Sequence, residues 1–566
     1  MSRSAIYSVF IVTLILIGAF FIFPILATVK QAFVAQDGTF TWDYLMEVLN
    51  NPLYREGLWN SLRMAVGSTA LSLLIAFPLA MLASRFEFRG KMLLTSAILV
   101  PMILPPFVGA IGMAQMLGQD GAINAFFMKL GLMAGNNPSD WLGSGQLGAV
   151  VLMNALHLYP IFYLNITAAL ANLDPAMEES ASNLGCPPVR RFWRITLPLA
   201  MPGIFAGGVI VFIWSFTELG VPLMFQYNRV TSVQIFEGIK DMGGNPIPYA
   251  LVVVTLVMSV VMFMFSKWVM GKADYSASGR AATSSQLKRL DGPAAYAAAG
   301  AFVLVAFLSV LPHIGVVFTA LSNDWYKTVL PGSLTTQNFS DALGHPVTLP
   351  SIRNSLFYAS AATFIDVFLG VAIAFIICRT KVPGRNLLDS VAMLPLAVPG
   401  LVMAFGYLAV TREGQPLSFL MLGKHDSPVL LLIIAYAMRR LPYIVRSAVA
   451  GFQQTSVSLE EAAQNLGATP LRSLKKITMP LIMANLVAGG LLAFAFAMME
   501  VSDSLILAQR PEDYPITKAM YILSGNLGNG AALASALGTW SMIFLGVALV
   551  GASMILGKKM GSLFRT

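Results

Sequence analysis

Charge is what this chain has least of. Only 11% of its 566 residues are charged, where a soluble domain carries about a quarter. With 57% hydrophobic residues and a mean hydropathy of +0.72, that scarcity excludes a soluble globular domain and leaves an integral membrane protein. Cysteine is nearly absent too. Cys186 and Cys378 lie far apart and match no metal-ligand spacing, so they read as two free thiols. A phosphate-cradling loop is also missing: Gly271-Lys272 runs into Ala273, and no G-x-x-x-x-G-K-[ST] occurs. The chain is therefore not expected to hydrolyse ATP, and it holds no expected cofactor or metal site. No basic stripe with interleaved aromatics accompanies the net charge of +9, so nucleic acid is not an expected partner. The 31 methionines are scattered and read as adaptable packing.

Long apolar runs, in contrast, are abundant. The first, AIYSVFIVTLILIGAFFIFPILA (5–27), exceeds a signal-peptide core of roughly 7–15 residues. It reaches the length of about 20 residues that spans a hydrocarbon core, and reads as a retained transmembrane helix. Runs of spanning length fall near 5–29, 58–84, 92–118, 147–172, 198–226 and 248–271, and again near 294–322, 353–378, 386–411, 428–452, 479–508 and 531–557. The fold class expected is an all-α membrane protein with twelve transmembrane helices. Loops on the side of the termini hold roughly 21 Lys and Arg against roughly 11 opposite, which places both termini in the cytoplasm. The small, polar, basic segment 272–293 reads as a cytoplasmic linker.

The two sets of runs are repeats. Asn60-Ser61-Leu62 and Arg85 recur as Asn354-Ser355-Leu356 and Arg379, and Pro101 and Pro105 as Pro395 and Pro399. Further on, Pro160 recurs as Pro442, Gly185 as Gly467, and Glu218 as Glu500. Residues 1–271 and 294–566 are therefore two six-helix halves of parallel topology, able to form a pseudo-twofold around a pathway along the membrane normal.

Between spans, each half keeps one polar island: PAMEESASNLGCPPVRRFWRITLP at 175–198 and VSLEEAAQNLGATPLRSLKKITMP at 457–480. Ser458 and Glu461 have capping-box spacing, and Asp174 precedes Pro175 as a cap-and-first-turn pair. Gly185 and Gly467 are helix stops, and Pro188 and Pro470 start a second short helix. An amphipathic loop held at anionic headgroups explains one island; two copies with matched Glu, Gly, Ile and Pro fit a protein partner. Phe192 and Trp193, or Leu471 and Leu474, are candidate anchors.

The spacing E-A-A, three residues, G, nine residues, I-x-L-P resembles the signature of bacterial type I ABC importer permeases. It stands as Glu179-Ser180-Ala181, Gly185, Ile195 and Leu197-Pro198, and as Glu461-Ala462-Ala463, Gly467, Ile477 and Met479-Pro480. Ser180 and Met479 depart from it. A double permease in one polypeptide resembles the ferric-iron permease family, which has thiamine, phosphonate and sugar-phosphate relatives; FIWSFTELGVPLMF (212–225) is similar to that group. The resemblance implies a non-catalytic subunit of the bacterial inner membrane. Its coupling loops at 174–197 and 456–479 would dock on a cytoplasmic ABC ATPase homodimer, which binds the ATP and magnesium, and substrate would come from a periplasmic binding protein. One copy of the chain would supply both halves. Coupling is then implied for Glu178, Glu179, Ala181 and Gly185, and for Glu460, Glu461, Ala462, Ala463 and Gly467.

Ionisable residues inside the apolar runs are functional candidates. Glu218, Glu500 and Asp503 read either as pathway groups for a cation such as ferric iron or as residues bonded within their own half. His157 reads as a packing residue or a ligand. Arg439 and Arg440, whose repeat counterparts are His157 and Leu158, read as a salt bridge with Asp366 or as an anion-friendly half. The prolines at 101, 105, 106, 395 and 399 are hinges or packing kinks. Ferric iron is the substrate the resemblance favours, with 2-aminoethylphosphonate, thiamine or a sugar phosphate as alternatives. An ion-gradient-driven secondary transporter and a non-transporting scaffold are the readings of other classes.

Overall fold

Hydrocarbon offers a backbone no partner but itself, so apolar runs fold as helices. The computed structural model describes residues 3–35, 37–134, 137–142, 146–171, 175–238, 246–271, 287–421 and 427–563. Among them, the one sheet is a parallel pair of two-residue strands, Phe86–Glu87 and Lys288–Arg289. Asp174 and most of the 272–293 linker lie outside the described residues.

Nine helices among the described residues are long and apolar enough to cross a membrane, and eleven if each of two bent pairs is one span. That measure does not confirm the sequence count of twelve. The run at 428–452 does fold as a helix, Val429–Gln454, but Arg439, Arg440 and Arg446 leave it outside that set.

At the proline clusters the chain does more than kink. Lys91–Met102 meets Pro106–Lys129 at 92°, and Arg385–Leu396 meets Gly400–Thr411 at 101°. Such turns free carbonyls that side chains must satisfy. At the first break, His157 Nδ1 donates to the Pro101 carbonyl at 2.8 Å, while His313 Nε2 adds a 3.3 Å contact to the Pro105 carbonyl, which already accepts from Val108 N and Gly109 N. Tyr159 donates to the Ile98 carbonyl at 2.7 Å. His157 is thus a satisfied packing residue. In the first helix Pro24 has no N–H to offer the Phe20 carbonyl four residues before it, and the Tyr407 hydroxyl donates to that carbonyl at 2.7 Å.

Packing divides the chain into two units. One comprises Asn51–Gln234 and Val257–Thr336; the other comprises Met1–Asn50, Ile235–Leu256 and Gln337–Thr566. Inside the first, the helices Pro52–Arg85, Leu147–Ala171 and Leu197–Phe216 pack mutually. Inside the second, Thr348–Arg379, Val429–Gln454 and Met479–Met498 form the equivalent triad. Each unit also holds the first helix of the other repeat. Gly292–Ala320 packs on Pro106–Leu117, and Phe23–Phe33 packs on Gly400–Thr411.

Both of these contacts run backbone to backbone over a glycine. A Cβ at Gly112 would fall within 3.0 Å of the Pro312 carbonyl oxygen, and one at Gly406 would lie 2.6 Å from that of Pro24. Small residues at such crossings let helices approach in a bilayer. Gly112→Ala and Gly406→Ala are each expected to cost about 1–3 kcal/mol by overpacking. Thermal unfolding of the detergent-purified chain would register this as a lowered melting temperature. Gly300→Ala, on an exposed face of Gly292–Ala320 with nothing within 4 Å, is the control expected to leave it unchanged.

Candidate functional site

Both polar islands fold in the same order: helix, left-handed glycine, one-turn helix, π-helical turn, long helix. In the first copy these are Pro175–Asn183, Gly185 at φ 76°, Pro188–Arg191, Phe192–Thr196 and Leu197–Phe216. In the second they are Val457–Asn465, Gly467 at φ 88°, Pro470–Ser473, Leu474–Thr478 and Met479–Met498. Each glycine closes its helix through a six-to-one bond, Cys186 N to Ala181 O and Ala468 N to Ala463 O, a geometry that disfavours a Cβ. The cap of Val457–Asn465 is Ser456, two residues before the Ser458 that the capping-box spacing picked out. Its hydroxyl accepts from Ser458 N at 3.3 Å.

The loop helices present two different faces. Glu179 and Glu461 are exposed, as are Gly185, Ala462 and Gly467, while Ala181 and Ala463 are half-buried. Glu178 and Glu460 instead turn toward their own chain. Glu178 Oε1 binds Arg85 and the Thr196 hydroxyl, and Arg85 also donates to that hydroxyl at 2.9 Å. Glu460 Oε1 accepts from Arg379 Nε and from the Thr478 hydroxyl, both at 2.9 Å.

Of the anchors read from sequence, Trp193 and Leu471 are exposed, whereas Phe192 and Leu474 are half-buried. Phe192 packs edge-on against Phe77. Sequence reasoning missed the most prominent pair. Leu184 and Leu466, one residue before each glycine, are 88% and 90% exposed. The repeated Asn-Leu-Gly in both islands was the available signal. Two equivalent apolar knobs beside two equivalent carboxylates make a duplicated surface suited to a protein partner.

The membrane acids are placed unequally. Glu218, half-buried, accepts from Gly220 N at 2.9 Å and Val221 N at 3.3 Å, and so caps the short helix Gly220–Met224. Glu500 likewise accepts from Ser502 N at 3.2 Å, but it is buried, and its two carboxylate oxygens also bind Arg439 and Arg440. Arg439 lies 3.5 Å from Asp503 as well. The arginines therefore pair with Glu500 and Asp503, not with Asp366, whose oxygens are buried with no hydrogen-bond partner among the described residues. No group of three or more His, Cys, Asp or Glu that could hold a metal occurs among the described residues.

Removing one member of a buried ion pair strands the other, at about 3–5 kcal/mol. Glu500→Gln is expected to cost that much. Glu218→Gln, which weakens a helix cap, is expected to cost about 1 kcal/mol. Thermal unfolding of the two variants in the same detergent would read the difference.

Known proteins give the geometry a context. The sequence profile described as binding-protein-dependent transport system inner membrane component matches residues 72–274 and 366–553. The chain is 27% identical to a putative ferric transport system permease protein of Haemophilus influenzae, across 87% of this chain and 76% of that protein. It is 26% identical to the ferric transport system permease protein of Actinobacillus pleuropneumoniae, across 82% of this chain and 65% of that one. A molybdenum transport system permease protein of Haemophilus influenzae is 31% identical over 37% of this chain and 90% of its own length.

Proposed function

The chain belongs to the binding-protein-dependent transport system inner membrane components, and on that premise we propose that it is the permease of an ATP-driven importer of ferric iron. Membership covers both repeats, so the chain is a fused double permease, a non-catalytic, multi-pass inner-membrane subunit. Such a family works with a binding protein and an ATPase. In our reading, one copy of the chain supplies both halves, an ATPase homodimer docks on the two islands, and both termini face the cytoplasm. ATP and magnesium are held by that partner.

The duplicated island surface supports this reading best. Glu179 with Leu184, and Glu461 with Leu466, offer the same carboxylate and the same apolar knob twice, as a symmetric dimer requires. Ala181, Gly185, Ala462, Ala463 and Gly467 shape the helices that carry them. ATP-driven closure of the dimer would then shift two rigid helix triads between inward- and outward-open states. Ferric iron rests on the names of the relatives at 25–27% identity. Glu218, Glu500 and Asp503 are the proposed pathway acids, and Glu218 is the one with exposed surface. A gradient-driven carrier would use Glu218 and Glu500 as coupling carboxylates and would move its substrate without ATP.

The test is radioiron uptake into proteoliposomes holding the chain with its co-purified ATPase and binding protein. Uptake is expected to require both partners and ATP, and to resist an excess of 2-aminoethylphosphonate, thiamine or sugar phosphate. Uptake by the chain alone under an ion gradient would overturn the proposal. Glu179→Lys with Glu461→Lys is expected to abolish ATP-dependent uptake while the chain still folds; unchanged uptake by that variant would remove the islands from the coupling.

A further inference from the structure

Adjacent glutamates in each island point to opposite sides, and the inward one is built into the same constellation twice. Arg85 and Arg379 are the last residues of the long helices Pro52–Arg85 and Thr348–Arg379. Glu178 and Glu460 lie in the first turn of the loop helices. Thr196 and Thr478 end the π-helical turns that lead into the next long helix. In each repeat these three elements, far apart in sequence, converge on one carboxylate oxygen, Oε1.

We propose that Arg85–Glu178–Thr196 and Arg379–Glu460–Thr478 are two copies of one mechanical clamp, which fixes each coupling loop to the end of a long membrane helix so that movement of the loop becomes movement of the helix. The proposal rests on the reading that the islands receive an ATPase. It divides labour between neighbours: Glu179 and Glu461 face the partner, while Glu178 and Glu460 are positioning residues that face the chain's own membrane helices.

Geometry says what the clamp opposes. Each island joins its long helix through a π-helical turn, a wide and deformable piece of helix often found at functional places. Left to itself, such a turn would absorb a push from outside. The carboxylate bridges it: the loop helix supplies the glutamate, the end of the turn supplies the threonine, and a third helix supplies the arginine. A guanidinium suits the place because its planar fork reaches several acceptors at once. Arg379 uses that capacity fully. Besides Glu460, it donates to the Phe452 carbonyl at 3.0 Å and the Thr455 carbonyl at 2.9 Å, which binds in the end of Val429–Gln454. Its guanidinium also lies 5.2 Å from the Phe452 ring.

The copies differ in strength. The Arg379 and Glu460 side chains are 8% and 11% exposed, against 32% and 26% for Arg85 and Glu178. Less water means less screening and a larger penalty for separation. The second clamp is therefore the stiffer, and more coupling passes through it.

The test uses the full complex in proteoliposomes and measures three quantities: ATPase retained, basal ATP hydrolysis, and iron carried per ATP hydrolysed. Glu460→Gln and Arg379→Gln are expected to keep the ATPase bound and hydrolysing while iron per ATP falls about tenfold, within the usual range of coupling between sites. Glu178→Gln and Arg85→Gln are expected to lose about fivefold, the lower end of that range. Thr478→Val, which removes one hydroxyl and spares the charge pair, guards against a folding failure and is expected to lose less than Glu460→Gln. The swap Arg85→Glu with Glu178→Arg is expected to restore most of the lost ratio, as a paired interaction should in a double-mutant cycle. Unchanged iron per ATP in Glu460→Gln would overturn the clamp. So would loss of the ATPase from that variant while the unaltered chain retains it, or a swap no better than the single changes, since each would make these glutamates docking residues. If the unaltered chain retains no ATPase, the function proposed above fails instead, and that outcome is distinct from the others.

Discussion

Inside a bilayer, a buried charge or a freed carbonyl has no water to turn to, and this architecture follows from giving most of them a partner. Where prolines break a helix through 92°, a histidine and a tyrosine from a neighbouring helix take up the carbonyls. Where Glu500 is buried, two arginines meet it. The helix that carries them, Val429–Gln454, is too charged to rank with the other spans, and its arginines are held because Glu500 and Asp503 stand opposite.

The same constraint separates the two repeats. His157 and Arg439 occupy equivalent positions, as do Glu218 and Glu500. In one repeat the histidine staples a broken helix and the glutamate caps a short one. In the other the arginine joins an ion network that the glutamate completes, while the same backbone cap is kept through Ser502 N. A duplicated scaffold thus carries one lightly bonded and one heavily bonded half, and the ledger of buried charge, more than the course of the helices, records their divergence. Asp366, with neither oxygen bonded among the described residues, is the one acid that this ledger does not balance.

At the islands water is available, and the logic reverses. Apolar surfaces there can stay uncovered. Leu184 and Leu466 stand almost fully exposed at the tips of the loop helices, at a cost in hydration. Directly beneath, Glu178 and Glu460 are paired within the chain. Each loop helix thus carries an inward-facing anchor and, six residues on, an outward-facing apolar tip.

Much of this was legible in the sequence. Composition dictated a membrane protein, self-similarity gave the repeats, and the glycines and prolines of the islands marked where short helices end and begin, because each signal is local. Cap position shifted by two residues, from Ser458 to Ser456, since several serines there offer equivalent oxygens and only the path of the chain chooses between them. What tertiary structure decided was partnership. Arg85 and Arg379 were visible as matched residues, but nothing in the sequence tied them to Glu178 and Glu460, or turned Arg439 and Arg440 toward Glu500 instead of Asp366. Those partners lie dozens of residues away, on other helices. A helix's apolar pattern fixes that it spans; the rotation of one helix against its neighbours, which determines which charge meets which, is set by packing alone.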